Sequence, residues 1–192
     1  MLPPLVATDA TDSSTYPMDF VSVHSQGIPH RAVHLEILNR EESVFICRRE
    51  DERLEIPGGH VEWSEAKDCA ETYEEAALRE CCEELNLPFN WAMSREDCHR
   101  RIQGHIHMIG KEINQIPSSQ GNNSEWVTVF RLDWQDAWGD PCKFKLSEEG
   151  NHEPHWLSIG ELKELGLGNP MGINSAVRLM LRRRGILVPL VI

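Results

Sequence analysis

Positions 71–87 read Glu71-Thr72-Tyr73-Glu74-Glu75-Ala76-Ala77-Leu78-Arg79-Glu80-Cys81-Cys82-Glu83-Glu84-Leu85-Asn86-Leu87. This stretch predicts a helix from Thr72 to Leu85, specified at both ends. Thr72 and Glu75 make a T-x-x-E capping box, with Thr72 at the N-cap and Glu75 three residues on. Asn86 stands where the chain turns into the left-handed conformation, and Pro88 prevents continuation. Ala77, Leu78, Cys81, Cys82 and Leu85 supply the apolar side.

Glu80, Glu83 and Glu84 are spaced i, i+3, i+4, so their carboxylates project from one face. Like charges at this spacing repel, and Arg79 relieves part of that through Glu75 or Glu83, each four positions away. Such an oxygen-rich face suits a hard cation, Mg²⁺ or Mn²⁺, that shares its shell with phosphates. Upstream, Gly58 and Gly59 permit close backbone approach, including a carbonyl able to join a coordination shell.

Outward from the helix, residues 31–38 and 43–47 alternate as two strands of a hairpin, and Phe20–Val23 reads as a further short strand. Beyond Pro88, residues 105–113 and 126–132 read as strands around a turn-rich stretch, Pro117–Ser124. Trp156-Leu157 ends another strand, Ser158 and Glu161 form a second capping box, and Asn174–Arg184 is an amphipathic helix stopped by Gly185. Strands, a central helix, more strands and terminal helices predict an α/β (α+β) fold, a mixed sheet sandwiched between helices. Residues 1–17 read as a flexible tail, 18–185 as the domain and 186–192 as a C-terminal tail.

The chain has 192 residues, 40% hydrophobic and 26% charged, the composition of one globular domain with extensions. Nineteen Lys+Arg against 31 Asp+Glu give a net charge of −12, which argues against stable nucleic-acid binding. No apolar run approaches the roughly 20 residues of a membrane span. Six cysteines without a C-x-x-C pair, and no basic apolar leader, set a reducing cytoplasm as the default and make a disulfide scaffold or structural zinc site a poor reading.

The pattern Glu71-x7-Arg79-Glu80-x-x-Glu83-Glu84 resembles the Nudix box, G-x5-E-x7-R-E-U-x-E-E-x-G-U. Pro57–Glu62 and Glu153-x-x-Trp156-Leu157 match habits of that family, and Pro29–His34 looks most like its isopentenyl-diphosphate-isomerase-like branch. Here Trp63–Ala70 lengthens the spacing from Gly59 to Glu71 to eleven residues; Glu65 would keep x5 but misplace Arg79. Glu71 is therefore taken as the first box glutamate. Asn86 replaces the box glycine, and Cys81, read as a buried small hydrophobe, the aliphatic position.

The resemblance implies a Nudix-type α/β/α sandwich and metal-assisted hydrolysis of a diphosphate linkage in a small nucleoside diphosphate derivative. It implies Glu80 and Glu84 as principal Mg²⁺ (or Mn²⁺) ligands, Glu83 as a further ligand or water activator, and the Gly58 carbonyl in the inner shell. Arg79 would orient the carboxylates, Glu71 would support the loop–helix junction, and Glu153 is the first candidate base, with Glu149 and Glu148 behind it. Many relatives are dimers, so a homodimer stays open. The isomerase itself uses a cysteine before the box, and Leu54–Val61 contains none. The rival of another class is a silent nucleotide-binding domain, to which the Trp63–Ala70 insertion lends its support. His105 and His107 read as a same-side strand pair, and His60, beside the glycines, as within reach of a phosphate.

Overall fold

A computed structural model describes residues 3–84, 95–118, 121–140, 142 and 151–187. In chain order its elements are β1 (Leu5–Thr8), β2 (Thr15–Met18), α1 (Phe20–Gln26), β3 (His30–Leu38), β4 (Val44–Arg49), β5 (Leu54–Glu55) and β6 (Gly58–His60). There follow β7 (Trp63–Ser64), β8 (Cys69–Ala70), α2 (Tyr73–Glu84), α3 (Arg95–Ile102), β9 (Ile106–Ser118) and β10 (Gly121–Asp133). The chain continues through β11 (Asn151–Leu157), α4 (Ile159–Gly168) and α5 (Ser175–Arg183). The main sheet runs in the order β11-β4-β3-β1-β2; β10 pairs with β3 and β9, while β7 and β8 form a separate two-stranded sheet. This is the expected α+β architecture.

By internal packing the chain divides into a first unit, Met1–His34, Gly58–Ala77 and Met108–Phe130, and a second, Leu35–Pro57, Leu78–His107 and Arg131–Ile192. In the first, Leu5, Ala7 and Val23 are buried with Met18 and Ile28 packed against them. In the second, Leu38, Val44, Ile46, Leu54 and Ile56 meet Leu162 of α4 and Val177, Met180 and Leu181 of α5. Asn174 caps α5, its side chain accepting from the Val177 N–H at 3.0 Å. Arg183 and Arg184 reach from the helix end to the carboxylate of Glu36, a buried strand residue.

Four expectations are corrected. Residues 1–17 are not a flexible tail throughout, because β1 is wholly buried, pairs antiparallel with β2, and joins β3 through Ala7 and His30. The polar run that looked disordered is a turn: the Asp9 carboxylate accepts from the backbone N–H of Thr11 at 2.9 Å and of Ser13 at 3.0 Å. Phe20–Val23 is helical, since Asp19 caps it by accepting from the Ser22 N–H at 2.9 Å and Gly27 ends it at φ +62°. The turn-rich stretch 117–124 is largely taken up by β9 and β10. Ile186, expected to start a tail, packs against the second unit's core.

Candidate active site

The T-x-x-E box forms as read. Glu75 N–H donates to Thr72 Oγ1 at 3.1 Å, and Thr72 N–H donates to Glu75 Oε2 at 2.8 Å. With Glu75 so engaged, Arg79 turns elsewhere. Its Nη1 donates to Glu80 Oε1 at 2.6 Å and to Glu83 Oε2 at 3.2 Å, all on the part of α2 from Leu78 on, which belongs to the second unit. The Arg79 and Glu80 side chains are only 7% and 10% exposed, whereas Glu83 is 51% exposed. One fixed guanidinium thus bridges a buried and a solvated carboxylate and offsets their repulsion.

Glu84 is half-buried on the same helix, and its charge, with that of Glu80, acts on Cys81. Burial first, then these carboxylates, push the Cys81 thiol far up; Cys47 on β4 is raised by burial and then by Glu84. Neither is a nucleophile, as a thiolate would stand beside carboxylates in a dry site. Among the described residues Cys47, Cys69, Cys81 and Cys142 are free, while Cys82 is disulfide-bonded, against the reading that set disulfides aside.

Glu153 sits at a bulge where β11 slips register between His152 and His155, with φ +47°. Its Oε2 accepts from Arg48 Nε at 3.0 Å, so the candidate base is held in an exposed ion pair at the β4–β11 edge. Trp156, three residues on, packs edge-on against Phe45 with centroids 5.5 Å apart. Glu148, Glu149 and the Asn86 cap lie outside the described residues.

Gly58 and Glu71 belong to the first unit. Gly58 is opposite His34 in the β3–β6 pair, and a Cβ there would lie 2.3 Å from the Val33 carbonyl oxygen. Only glycine fits that approach. Glu71 N–H donates to Glu62 O at 3.0 Å, and Glu71 Oε2 accepts from Glu62 N–H at 3.2 Å. These bonds close the Trp63–Ala70 insertion at its base. Within it Trp63 pairs with Ala70 and Ser64 with Cys69, while Glu65 starts the turn that ends at Asp68, φ +48°. The insertion is therefore a hairpin that leaves Glu71 beside Glu62. Replacing Ser64–Cys69 by Asn-Gly should keep Trp63 opposite Ala70. Shortening a surface loop costs little, so Tm in a thermal melt should move by less than about 4 °C, the equivalent of ~1 kcal/mol.

Other expectations fare differently. His105 ends a 3₁₀ turn and packs edge-on against Trp138 at 5.2 Å, so it forms no strand pair with His107. His60 lies on β6 among other imidazoles. Asp12 escaped the sequence reading because it sits in the supposed tail. It is buried, accepts from Arg31 Nε and Tyr73 Oη at 2.6 and 2.9 Å, and also pairs with Lys111, tying the N-terminal turn to the start of α2.

The NUDIX domain family model matches residues 28–172. The chain belongs to the Nudix family. As a Nudix protein it is an enzyme that hydrolyses phosphoric anhydride bonds. DR0079 from Deinococcus radiodurans shares the fold at TM-score 0.61, with 19% identity over 93% of this chain and 97% of that one. A MutT protein from Methanosarcina mazei Go1 aligns at TM-score 0.48, with 21% identity, 81% of this Nudix chain and 91% of its own covered. A C. elegans Ap4A hydrolase aligns at TM-score 0.48, with 17% identity over 81% of this chain and 97% of its own. No curated protein matches in sequence.

Proposed function

We propose that this Nudix protein is a divalent-metal-dependent pyrophosphohydrolase that cleaves the diphosphate linkage of a small nucleoside diphosphate derivative. The observation that carries it is the Arg79 bridge, which holds Glu80 and Glu83 on the α2 face that also bears Glu84. The donors are all carboxylate oxygens, the chemistry that suits Mg²⁺ or Mn²⁺ and not a soft ion. As the structure stands, the three carboxylates do not converge as a ligand group. Glu80 and Glu84 are the proposed ligands, and Glu83 a further ligand or a group that positions water. When bound, the cation neutralises phosphoryl oxygens and lowers the pKa of an attacking water.

The residues of the chain do the rest. Arg79 donates to the buried Glu80 carboxylate at 2.6 Å, so the helix presents it already oriented. Glu83, more than half exposed, can exchange its bond to Arg79 for one to water. Glu71 keeps the hairpin base shut at the entry to the helix. Glu153 is the proposed base, provided Arg48 releases it. The free thiols Cys47, Cys69, Cys81 and Cys142 support a cytoplasmic setting, with the bonded Cys82 standing against it.

Nucleoside diphosphates, triphosphates, dinucleotide polyphosphates and sugar nucleotides should be assayed with Mg²⁺ or Mn²⁺ and again with EDTA. Hydrolysis should vanish in chelator and return with the ion. Turnover that persists in EDTA overturns the metal dependence, and nucleotide binding without turnover in every arm favours the silent binding domain.

A further inference from the structure

The chain carries a net charge of −12, yet in the first unit two of its cations approach one aromatic ring. Arg31 Cζ, on β3, lies 5.1 Å from the ring centroid of Tyr73, the first residue of α2, and Lys111 Nζ, on β9, lies 4.9 Å from it. Lys111 Nζ is also 5.7 Å from the ring centroid of Trp126 on β10. A cation over an aromatic face is attracted by the ring quadrupole, so both charges have a seat that needs no anion. Tyr73 Oη and Trp126 Nε1 add two neutral donors, and Trp126 Nε1 is buried without a hydrogen-bond partner.

A carboxylate of the chain itself sits among these groups. Asp12 Oδ1 accepts from Arg31 Nε at 2.6 Å, and Asp12 Oδ2 accepts from Tyr73 Oη at 2.9 Å and from Lys111 Nζ. The Asp12 side chain is 2% exposed against 40% for Lys111, so the pocket meets solvent on the Lys111 side. Burial raises the Asp12 carboxyl, but Lys111, Arg31 and Tyr73 outweigh it and hold the group below the usual carboxylate range, so it is ionised. Burial, and then Asp12, push the Tyr73 hydroxyl up, which keeps it a donor.

Asp12 is delivered by the tip of the β1–β2 hairpin, where its backbone takes φ +55°, a left-handed conformation that few non-glycine residues adopt. The tip is built from its own bonds. Thr8 pairs with Thr15 and donates from Oγ1 to Ser14 O at 2.8 Å, while the exposed Asp9 carboxylate gathers the Thr11 and Ser13 N–H groups. It can therefore lift as a unit once the Asp12 carboxylate is displaced. Two cations against one carboxylate leave a positive charge unbalanced. A phosphoryl group, with about −1.5 to −2 charge at pH 7 and three acceptor oxygens, matches both cations and the neutral donors better than a carboxylate does.

We propose that Arg31, Tyr73, Lys111 and Trp126 form a binding site for a phosphoryl anion, with the Asp12 carboxylate as its built-in occupant. A phosphate entering on the Lys111 side takes the place of Asp12 and frees the N-terminal hairpin tip from the start of α2. The site needs no metal, unlike the α2 carboxylates, which repel an anion until a cation is bound.

The test uses the full chain, freed of metal on a chelating resin and titrated by calorimetry with inorganic phosphate, pyrophosphate, a nucleoside monophosphate and acetate. Asp12→Ala should bind pyrophosphate at least about tenfold tighter than wild type, the low end of what a close charge pair contributes across an interface. Lys111→Met added to Asp12→Ala should cancel that gain. An equal gain for phosphate and the nucleotide marks a free phosphate as the ligand, and a larger gain for the nucleotide marks one whose base rests on an aromatic ring; both support the site. In the wild-type chain, excess pyrophosphate should speed hydrogen exchange over residues 9–14 as the tip lifts. The proposal falls if Asp12→Ala binds no tighter than wild type, if the gain survives Lys111→Met, or if acetate gains as much as phosphate. Should Asp12→Ala fail to fold by circular dichroism, Asp12→Asn, which keeps the shape without the charge, takes its place. Should both fail, wild-type hydrogen exchange decides, and exchange unchanged by pyrophosphate overturns the site. Neither metal nor turnover enters these readouts, so they stand apart from the proposed hydrolysis.

Discussion

Glu84→Gln should lower turnover at saturating Mg²⁺ by more than about 100-fold, since even the outer-shell partners of a metal site cost 10–100-fold when mutated. The substitution removes one charge and keeps the shape of the side chain. Glu84 shares its helix face with Glu80 and Glu83, and like charges at i, i+4 destabilise a helix by about 0.2–0.5 kcal/mol per pair. The metal-free variant should therefore melt at or slightly above the wild-type temperature. Paired measurements, thermal melts without metal and turnover with it, separate the two effects. A variant that is less stable yet fully active per folded molecule would make Glu84 a structural partner, and the proposed ligand set would be wrong.

Arg79→Met should do the reverse in stability, losing about 3–5 kcal/mol, the range for breaking a buried ion pair by removing one partner. The pair qualifies because Arg79 and Glu80 are 7% and 10% exposed and their contact is 2.6 Å. Methionine fills similar volume but leaves the Glu80 carboxylate without its guanidinium in a dry setting. Arg79→Lys should fall between, as an ammonium restores charge without the fork that reaches both Glu80 and Glu83. Denaturant unfolding of the three chains is the measurement. Equal midpoints would show that solvent, not Arg79, stabilises Glu80. Activity should drop in both variants, most in the methionine one, because Glu80 is no longer held in one orientation.

Helix α2 was legible because its signals are local. A capping box needs only four residues, and the 3.6-residue period places Glu80, Glu83 and Glu84 on one face whatever surrounds them. In the sequence, Trp63–Ala70 disguises the spacing. Strand pairing returns Ala70 to Trp63 and so restores Glu71 to Glu62. The N-terminal hairpin was misread for the opposite reason. Its turn is polar by composition, and the burial of Leu5–Thr8 depends on β3 and on Val23, remote in sequence.

By itself the sequence determined the α+β class, the caps and phase of α2, and a row of acidic side chains whose spacing resembles one family. Tertiary structure alone decided that Arg48 holds Glu153 and that His24, His30 and His60 converge. The physical reason is range. Helix phase and capping are set within a few residues by backbone geometry, whereas these contacts join positions up to about a hundred residues apart and exist only once strands have paired.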